Sequence, residues 1–298
     1  MPATLTKEDR NNMDLMEKIA AGGLIFDGAM GSMLFAEGLS GGKPSELWNI
    51  EQPETIEKIH RAYFDAGADV ATTNTFGATP FKLEKSGITA DAGEINRSGV
   101  EAARRAAGPG NFVAGDIGPL GEMLRPAGML DPEQAVDHFA RQAAILEEAG
   151  VDLFIIETFF DLNEILAALQ GIKKVSGKPV FATMTFQKKA KGFFTLMGNS
   201  PGDSMKRLVD CGASVVGANC SLASDTMITL AQKIRESVDS PVIIQPNAGA
   251  PESIGDIIRY PETASFFAEN IAKIKALGVE VVGGCCGTTP DFIREIAS

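Results

Sequence analysis

Residues 53–74 read PETIEKIHRAYFDAGADVATTN and hold one full cycle of the alternation from which the chain is built. Ile56, Ile59, Tyr63 and Phe64 recur at helical spacing behind a Pro-Glu start, which predicts a helix over 53–66. Gly67 follows, where a helix end favours a residue free to take positive φ. The run 69–74 then reads as a short buried strand closing on polar residues.

The same alternation extends in both directions. Strand-like runs at 24–27, 112–116, 153–157, 180–185, 214–219, 242–246 and 279–283 bring the count to eight. Amphipathic stretches at 92–107, 131–149, 162–175, 204–211, 224–238 and 260–276 lie between them. Parallel strands buried on both faces and joined by helices close, at eight units, into an α/β fold of the (β/α)8 TIM barrel type. A doubly wound open sheet is the alternative, but no Gly-x-Gly-x-x-Gly follows any strand. Met13, Met16, Ile19 and Ala20 predict an extra helix over 6–20. The expected organisation is one domain over 1–298, with 1–22 as a helical extension.

The composition excludes several classes. The 298 residues carry 27 Lys plus Arg against 39 Asp plus Glu, a net charge of −12, which disfavours nucleic acid and anionic membranes as partners. The basic cluster is short: Lys188, Lys189 and Lys191. No run approaches the ~20 apolar residues of a membrane span. The first 12 residues lack the pattern of a secretory or transit signal, so a cytoplasmic protein is expected. Four cysteines in a chain of this length do not make a disulfide scaffold.

In such a barrel the reactive residues stand where the strands end. Cys220 closes the sixth strand, and Cys285 and Cys286 close the eighth in a Gly-rich loop, whereas Cys211 ends a helix at the opposite face. Three thiols on one rim suit zinc, which takes about four tetrahedral ligands and, in catalytic sites, keeps one position open. Gly283, Gly284 and Gly287 are expected to let two consecutive side chains face one ion. The competing readings are packing, or a redox-sensing barrel in which Cys285 and Cys286 pair. Three thiolates make zinc a poor Lewis acid but leave a bound substrate thiol ionised and nucleophilic, so alkyl transfer to sulfur is the expected chemistry.

Several segments carry a family resemblance. They are Gly-Gly-Cys-Cys-Gly-Thr-Thr-Pro at 283–290, Gly-Ala-Asn-Cys-Ser at 217–221, Phe-Asp-Gly-Ala-Met-Gly at 26–31, Thr-Asn-Thr-Phe-Gly-Ala-Thr at 73–79, Gly-Asp-Ile-Gly-Pro at 115–119, Glu-Thr-Phe at 157–159 and Pro-Asn-Ala-Gly at 246–249. In this order they resemble the homocysteine S-methyltransferase family. The segment at 73–79 is most similar to the homocysteine-binding module of cobalamin-dependent methionine synthase. The resemblance implies zinc on Cys220, Cys285 and Cys286, homocysteine as acceptor and methionine as product. It also implies that Glu157, Asp27 and backbone near Gly28 hold the amino acid end. A rim carboxylate suits an ammonium, although Glu157 and Asp27 could equally serve as ion-pair or loop-capping groups. Asn74, Asn219 and Asn247 have two readings, orienting thiolates or substrate, or satisfying loop backbone. Thr183 and Thr185 read as barrel filling, and His60 and His138 as structural or surface residues. The sequence contains no corrinoid-binding segment, so the expected methyl source is a separate corrinoid protein. The rival donors are S-methylmethionine and betaine, and another thiol acceptor remains an alternative to homocysteine.

Overall fold

The computed structural model describes residues 13–39, 42–254 and 257–298. Numbered in chain order, its strands are β1 (Leu24–Ile25), β2 (Val70–Thr72), β3 (Phe112–Ile117), β4 (Leu153–Phe159), β5 (Val180–Met184), β6 (Gln187–Lys189), β7 (Gly192–Phe194), β8 (Val215–Ala223), β9 (Val242–Asn247), β10 (Glu252–Ile254), β11 (Ile257–Arg259) and β12 (Val281–Val282). Eight form one parallel sheet in the order β1-β12-β9-β8-β5-β4-β3-β2. A parallel bridge between Phe26 and Val70 joins its two ends. Asp69 N donates to Ile25 O at 2.7 Å and Asp27 N to Val70 O at 3.0 Å, so the ring closes as the expected (β/α)8 barrel.

Strand periodicity divides the core in two. Leu153 and Ile155 of β4 point inward with Val70, Ala114, Phe181, Val215 and Ile243. Phe154 and Ile156 alternate outward, into the layer between barrel and helices. Inside, the Phe26 and Phe181 rings lie 5.6 Å apart. Each such buried side chain contributes on the order of 1.5–3 kcal/mol.

Helices form where the apolar spacing indicated, and their ends follow from capping. The helix Pro132–Ala149 starts on Asp131, whose carboxylate accepts from Glu133 N at 3.0 Å, and stops at Gly150, which takes φ 89°. Ser200 caps Pro201–Asp210, starting it before the expected position 204. Thr263 caps Ala264–Ala276, which leaves Tyr260 outside the helix expected to contain it. The N-terminal helix is Leu15–Gly22, set by a capping box between Asp14 and Glu17; positions 1–12 of the expected extension lie outside the described residues. Leu15 and Ile19 pack against the barrel interior, and Lys18 Nζ donates to Gly110 O at 2.6 Å, just ahead of β3. This helix therefore covers the end of the barrel where the strands begin. The antiparallel hairpins β6–β7 and β10–β11, which follow β5 and β9, were not anticipated. No helix among the described residues is long and apolar enough to cross a membrane.

His60 is fully buried in the helix Pro53–Asp65, and neither ring nitrogen has a partner among the described residues. Burial pushes its pKa down to about 4. The unfolded chain therefore takes up this proton at a higher pH than the folded one, so stability is intact above the ordinary histidine range and falls as pH drops toward 4. The loss amounts to about 3 kcal/mol. Urea unfolding of His60→Leu at pH 7 and pH 4.5 should show a smaller acid loss than the parent; an unchanged difference would refute this assignment.

Candidate active site

The inward face that carries apolar residues low in the barrel turns polar at the strand ends. Two positions beyond Ala114, Ile155, Phe181, Gly217 and Ile243 stand Asp116, Glu157, Thr183, Asn219 and Gln245. Asp116, Glu157 and Gln245 line a cavity of about 330 Å³ together with Asp27, Thr158 and the three rim cysteines.

The sulfurs of Cys220, Cys285 and Cys286 all lie within 4.8 Å of one another. Cys220 Sγ is 3.8 Å from Cys286 Sγ, and the sulfurs of Cys285 and Cys286 are 4.0 Å apart. Sulfurs on a tetrahedral ion at ~2.3 Å stand about 3.8 Å apart, so this spacing suits a shared metal ion. All four cysteines are free thiols, and Cys211 is exposed beyond its helix, away from the cluster. The local backbone is unusual: Thr158, Cys220 and Ser221 have φ of 66°, 61° and 60°. Left-handed geometry at non-glycine residues costs on the order of 1–3 kcal/mol each and persists only where the surroundings impose it. Here it breaks the strand alternation and turns the Cys220 sulfur into the cavity.

In the loop after β12, Cys285 N donates to Pro246 O at 2.8 Å and Ala248 N to Cys286 O at 2.9 Å, anchoring the cysteine pair to the end of β9. Of the three loop glycines only Gly287 takes positive φ, at 84°. Gly283 and Gly284 serve close packing instead: a Cβ at Gly283 would stand 2.8 Å from that of Phe26, and one at Gly284 would collide with Thr288.

The thiols divide their charge unequally. Hydrogen bonds from Cys220, Cys285 and Tyr260 pull Cys286 down to about 3. For Cys220, a hydrogen bond with Cys285 lowers the pKa, but the one to Cys286 and burial outweigh it and leave the group at about 11. Cys285 is raised further by its hydrogen bonds to both partners and by burial. One thiolate is stable in the cluster alone; more than one requires a cation between them.

Asn219 links the site across strands. Its Oδ1 accepts from Thr158 N and Thr183 Oγ1, both at 2.9 Å, and its Nδ2 donates to Thr158 Oγ1 at 2.7 Å and reaches Cys285 Sγ at 3.9 Å. Asn247 is buried with Oδ1 unpartnered among the described residues. Asn74 faces the cavity wall, yet its Nδ2 donates to Ser45 O at 3.0 Å and Asn49 Oδ1 at 2.9 Å, which ties loops together away from the sulfurs. Gly28 leaves room for Thr288 Oγ1, which a Cβ would approach to 2.6 Å.

Both oxygens of Asp27 accept from Thr72, its N at 2.8 Å and its hydroxyl at 2.9 Å, so this carboxylate binds β1 to β2 as well as facing the cavity. Burial raises Asp27 to about 7. Burial, then the charges of Asp27 and Cys286, raise Glu157 to about 8. Asp116 is pushed well up by burial and by Glu157, and its Oδ1 is unpartnered among the described residues, as is Gln245 Oε1. The cavity is a well of under-used acceptors. Asp116 and Thr158 stand at strand ends, within the segments at 115–119 and 157–159, but carried no assigned role, and Gln245 and Tyr260 were not singled out. Period-two spacing reaches Asp116 and Gln245; nothing local in the sequence marks Tyr260.

Residues 24–298 match the family profile described as homocysteine S-methyltransferase. The chain is 32% identical over 318 aligned positions to methionine synthase of Mycobacterium leprae (strain TN), and 31% over 316 to that of Mycobacterium tuberculosis (strain ATCC 25618 / H37Rv). These alignments cover 100% and 99% of the chain but 26% of each relative, so the chain spans about a quarter of their length. The metallated form of the homocysteine methyltransferase MmuM from Escherichia coli superposes with a TM-score of 0.77 at 25% identity, covering 92% of this chain and 95% of that one. The carboxyl transferase domain of Rhizobium etli pyruvate carboxylase shares the fold alone, at a TM-score of 0.53 and 16% identity over 97% of this chain and 48% of that one.

The thiol electrostatics predict selective chemistry in metal-free protein. Cys286 should react with iodoacetamide at a rate that stays flat down to about pH 5, with the modified site mapped by mass spectrometry. A rate that falls with pH as for an ordinary thiol would contradict the assignment.

Proposed function

Because the chain belongs to the homocysteine S-methyltransferase family, a family of thiol methyltransferases, we propose that it methylates the thiol of homocysteine to give methionine, using zinc on Cys220, Cys285 and Cys286 and a methyl-corrinoid carried by a protein partner. The observation that carries this reading is the set of three sulfurs within 4.8 Å at the edge of a carboxylate-lined cavity. Zinc bound there would supply a cation that keeps the substrate sulfur ionised at neutral pH.

The chain's own residues do the rest. Glu157, with Asp27 beside it, receives the substrate ammonium by charge-assisted hydrogen bonds. Asn219 fixes Cys285 relative to Thr158 on the neighbouring wall. In the transfer, a sulfur lone pair forms the new S–C bond, the donor keeps the electron pair of the bond it loses, and the thiol proton goes to solvent. The barrel with its N-terminal helix is the catalytic unit in this reading.

The exposed rim supports a donor of protein size. Phe35, Met129 and Leu196 are 62%, 77% and 67% exposed, on segments that follow β1, β3 and β5 at the open end. A small donor would leave these side chains in water, whereas a docked protein would cover them.

Purified chain should bind about one zinc, take up homocysteine with proton release, and turn over methylcobalamin; Cys220→Ser should abolish zinc binding and activity together. Turnover with S-methylmethionine or betaine and none with methylcobalamin would overturn the donor. Glu157→Gln should raise the homocysteine KM on the order of 10–100-fold, the loss expected for a hydrogen bond to a charged group. An ammonium favours the ionised carboxylate, so the parent KM should fall as pH rises through about 8, and the variant should lose that trend.

A further inference from the structure

A second cavity, of about 370 Å³, adjoins the thiol well and shares Phe76 and Thr158 with it. Phe160, Pro119 and Leu196 supply its other apolar surface, with Thr185 and Gln187 at its polar edge. Its one charged side chain is Lys82, on the short helix Pro80–Lys85. Lys82 Nζ lies 5.1 Å from the centre of the Phe76 ring and donates to Pro119 O at 3.5 Å.

The two cavities differ sharply in charge. The thiol well is lined by Asp27, Glu46, Asp116 and Glu157, while no carboxylate lines the second cavity among the described residues. Asp116 and Glu164 do feel the Lys82 charge, but burial dominates both and holds Glu164 at about 7. Lys82 is therefore only partly neutralised from behind. It also occupies the aromatic face that would otherwise attract a quaternary ammonium or sulfonium.

We propose that this apolar shelf is the methyl-donor subsite and that Lys82 selects the donor. The shelf accepts a broad apolar body edged with carbonyl acceptors, as in a corrinoid with its amide side chains, and repels onium donors. A carbonyl can accept from Lys82 Nζ while the ring body lies on Phe76, Phe160 and Leu196, beside the sulfurs. This inference rests on the methyl-transfer reading above and specifies which side of the mouth the methyl group comes from.

The test uses zinc-loaded protein with saturating homocysteine and two donors, methylcobalamin and S-methylmethionine. Methylcobalamin binding is also measured by equilibrium dialysis. Lys82→Met should raise the Kd and KM for methylcobalamin on the order of 10-fold, leaving kcat and the homocysteine KM unchanged, while Lys82→Arg stays near the parent. Lys82→Glu should lower the S-methylmethionine KM several-fold. Gln187→Glu, at an exposed hairpin position, should shift S-methylmethionine the same way without disturbing the contacts of Lys82. Methylcobalamin binding indifferent to Lys82→Met and Lys82→Glu would overturn the shelf while leaving the reaction intact. A parent protein that uses S-methylmethionine but neither binds nor uses methylcobalamin would overturn both.

Discussion

Three thiol sulfurs within 4.8 Å of one another repel as soon as more than one is ionised, and the mouth of this barrel is arranged around that conflict. The parts that force it are far apart in sequence. Cys220 comes from the end of β8 and the other two from the loop after β12, and β9 lies between them with backbone hydrogen bonds to that loop. The closed barrel gives the rigidity that such a cluster requires, since a softer scaffold would let the sulfurs drift apart. The left-handed residues Thr158, Cys220 and Ser221 are the local cost, and they sit at irregularities of β4 and β8 where the register shifts, between Ile156 and Phe159 and between Asn219 and Ala223, with parallel pairing on either side.

The carboxyls meet the same difficulty in another form. Asp27, Asp116 and Glu157 are all pushed upward, chiefly by burial, so near neutrality the well holds protons as well as negative charge. In the proposed reaction, the substrate ammonium entering this well would relieve the strain by replacing shared protons with a fixed positive group. Acidic well, thiol cluster and Lys82 shelf then form a gradient across one opening, and the two ends of the chemistry can be recognised by opposite charges.

Much of this was legible in the sequence because strands and helices have fixed periods. The eight strands followed from apolar runs ending in polar residues, and Gly67 marked a helix end that does take positive φ. The same period of two reaches Asp116 and Gln245. What stayed hidden depends on distant partners. Asp27 faces the cavity and at the same time has both oxygens engaged by Thr72, and the Asn74 side chain turns to Ser45 and Asn49. Tyr260 carried the pattern of a helix, yet the Thr263 cap starts that helix later and frees the ring to meet Cys286. The direction of the Cys220 side chain rests on a left-handed backbone that no spacing rule anticipates.

The helix Leu15–Gly22, with Leu15 and Ile19 set against the barrel interior, caps a core already filled by Phe26, Phe181 and their neighbours, and the thiol cavity opens at the other end. A site entered from one end imposes an order of events. In the proposed reaction, with its small acceptor and large donor, the acceptor enters before the donor covers the opening, and the product leaves after the donor withdraws. Traffic through one doorway is necessarily sequential, and the residence time of whatever covers the rim then sets the pace for everything beneath it.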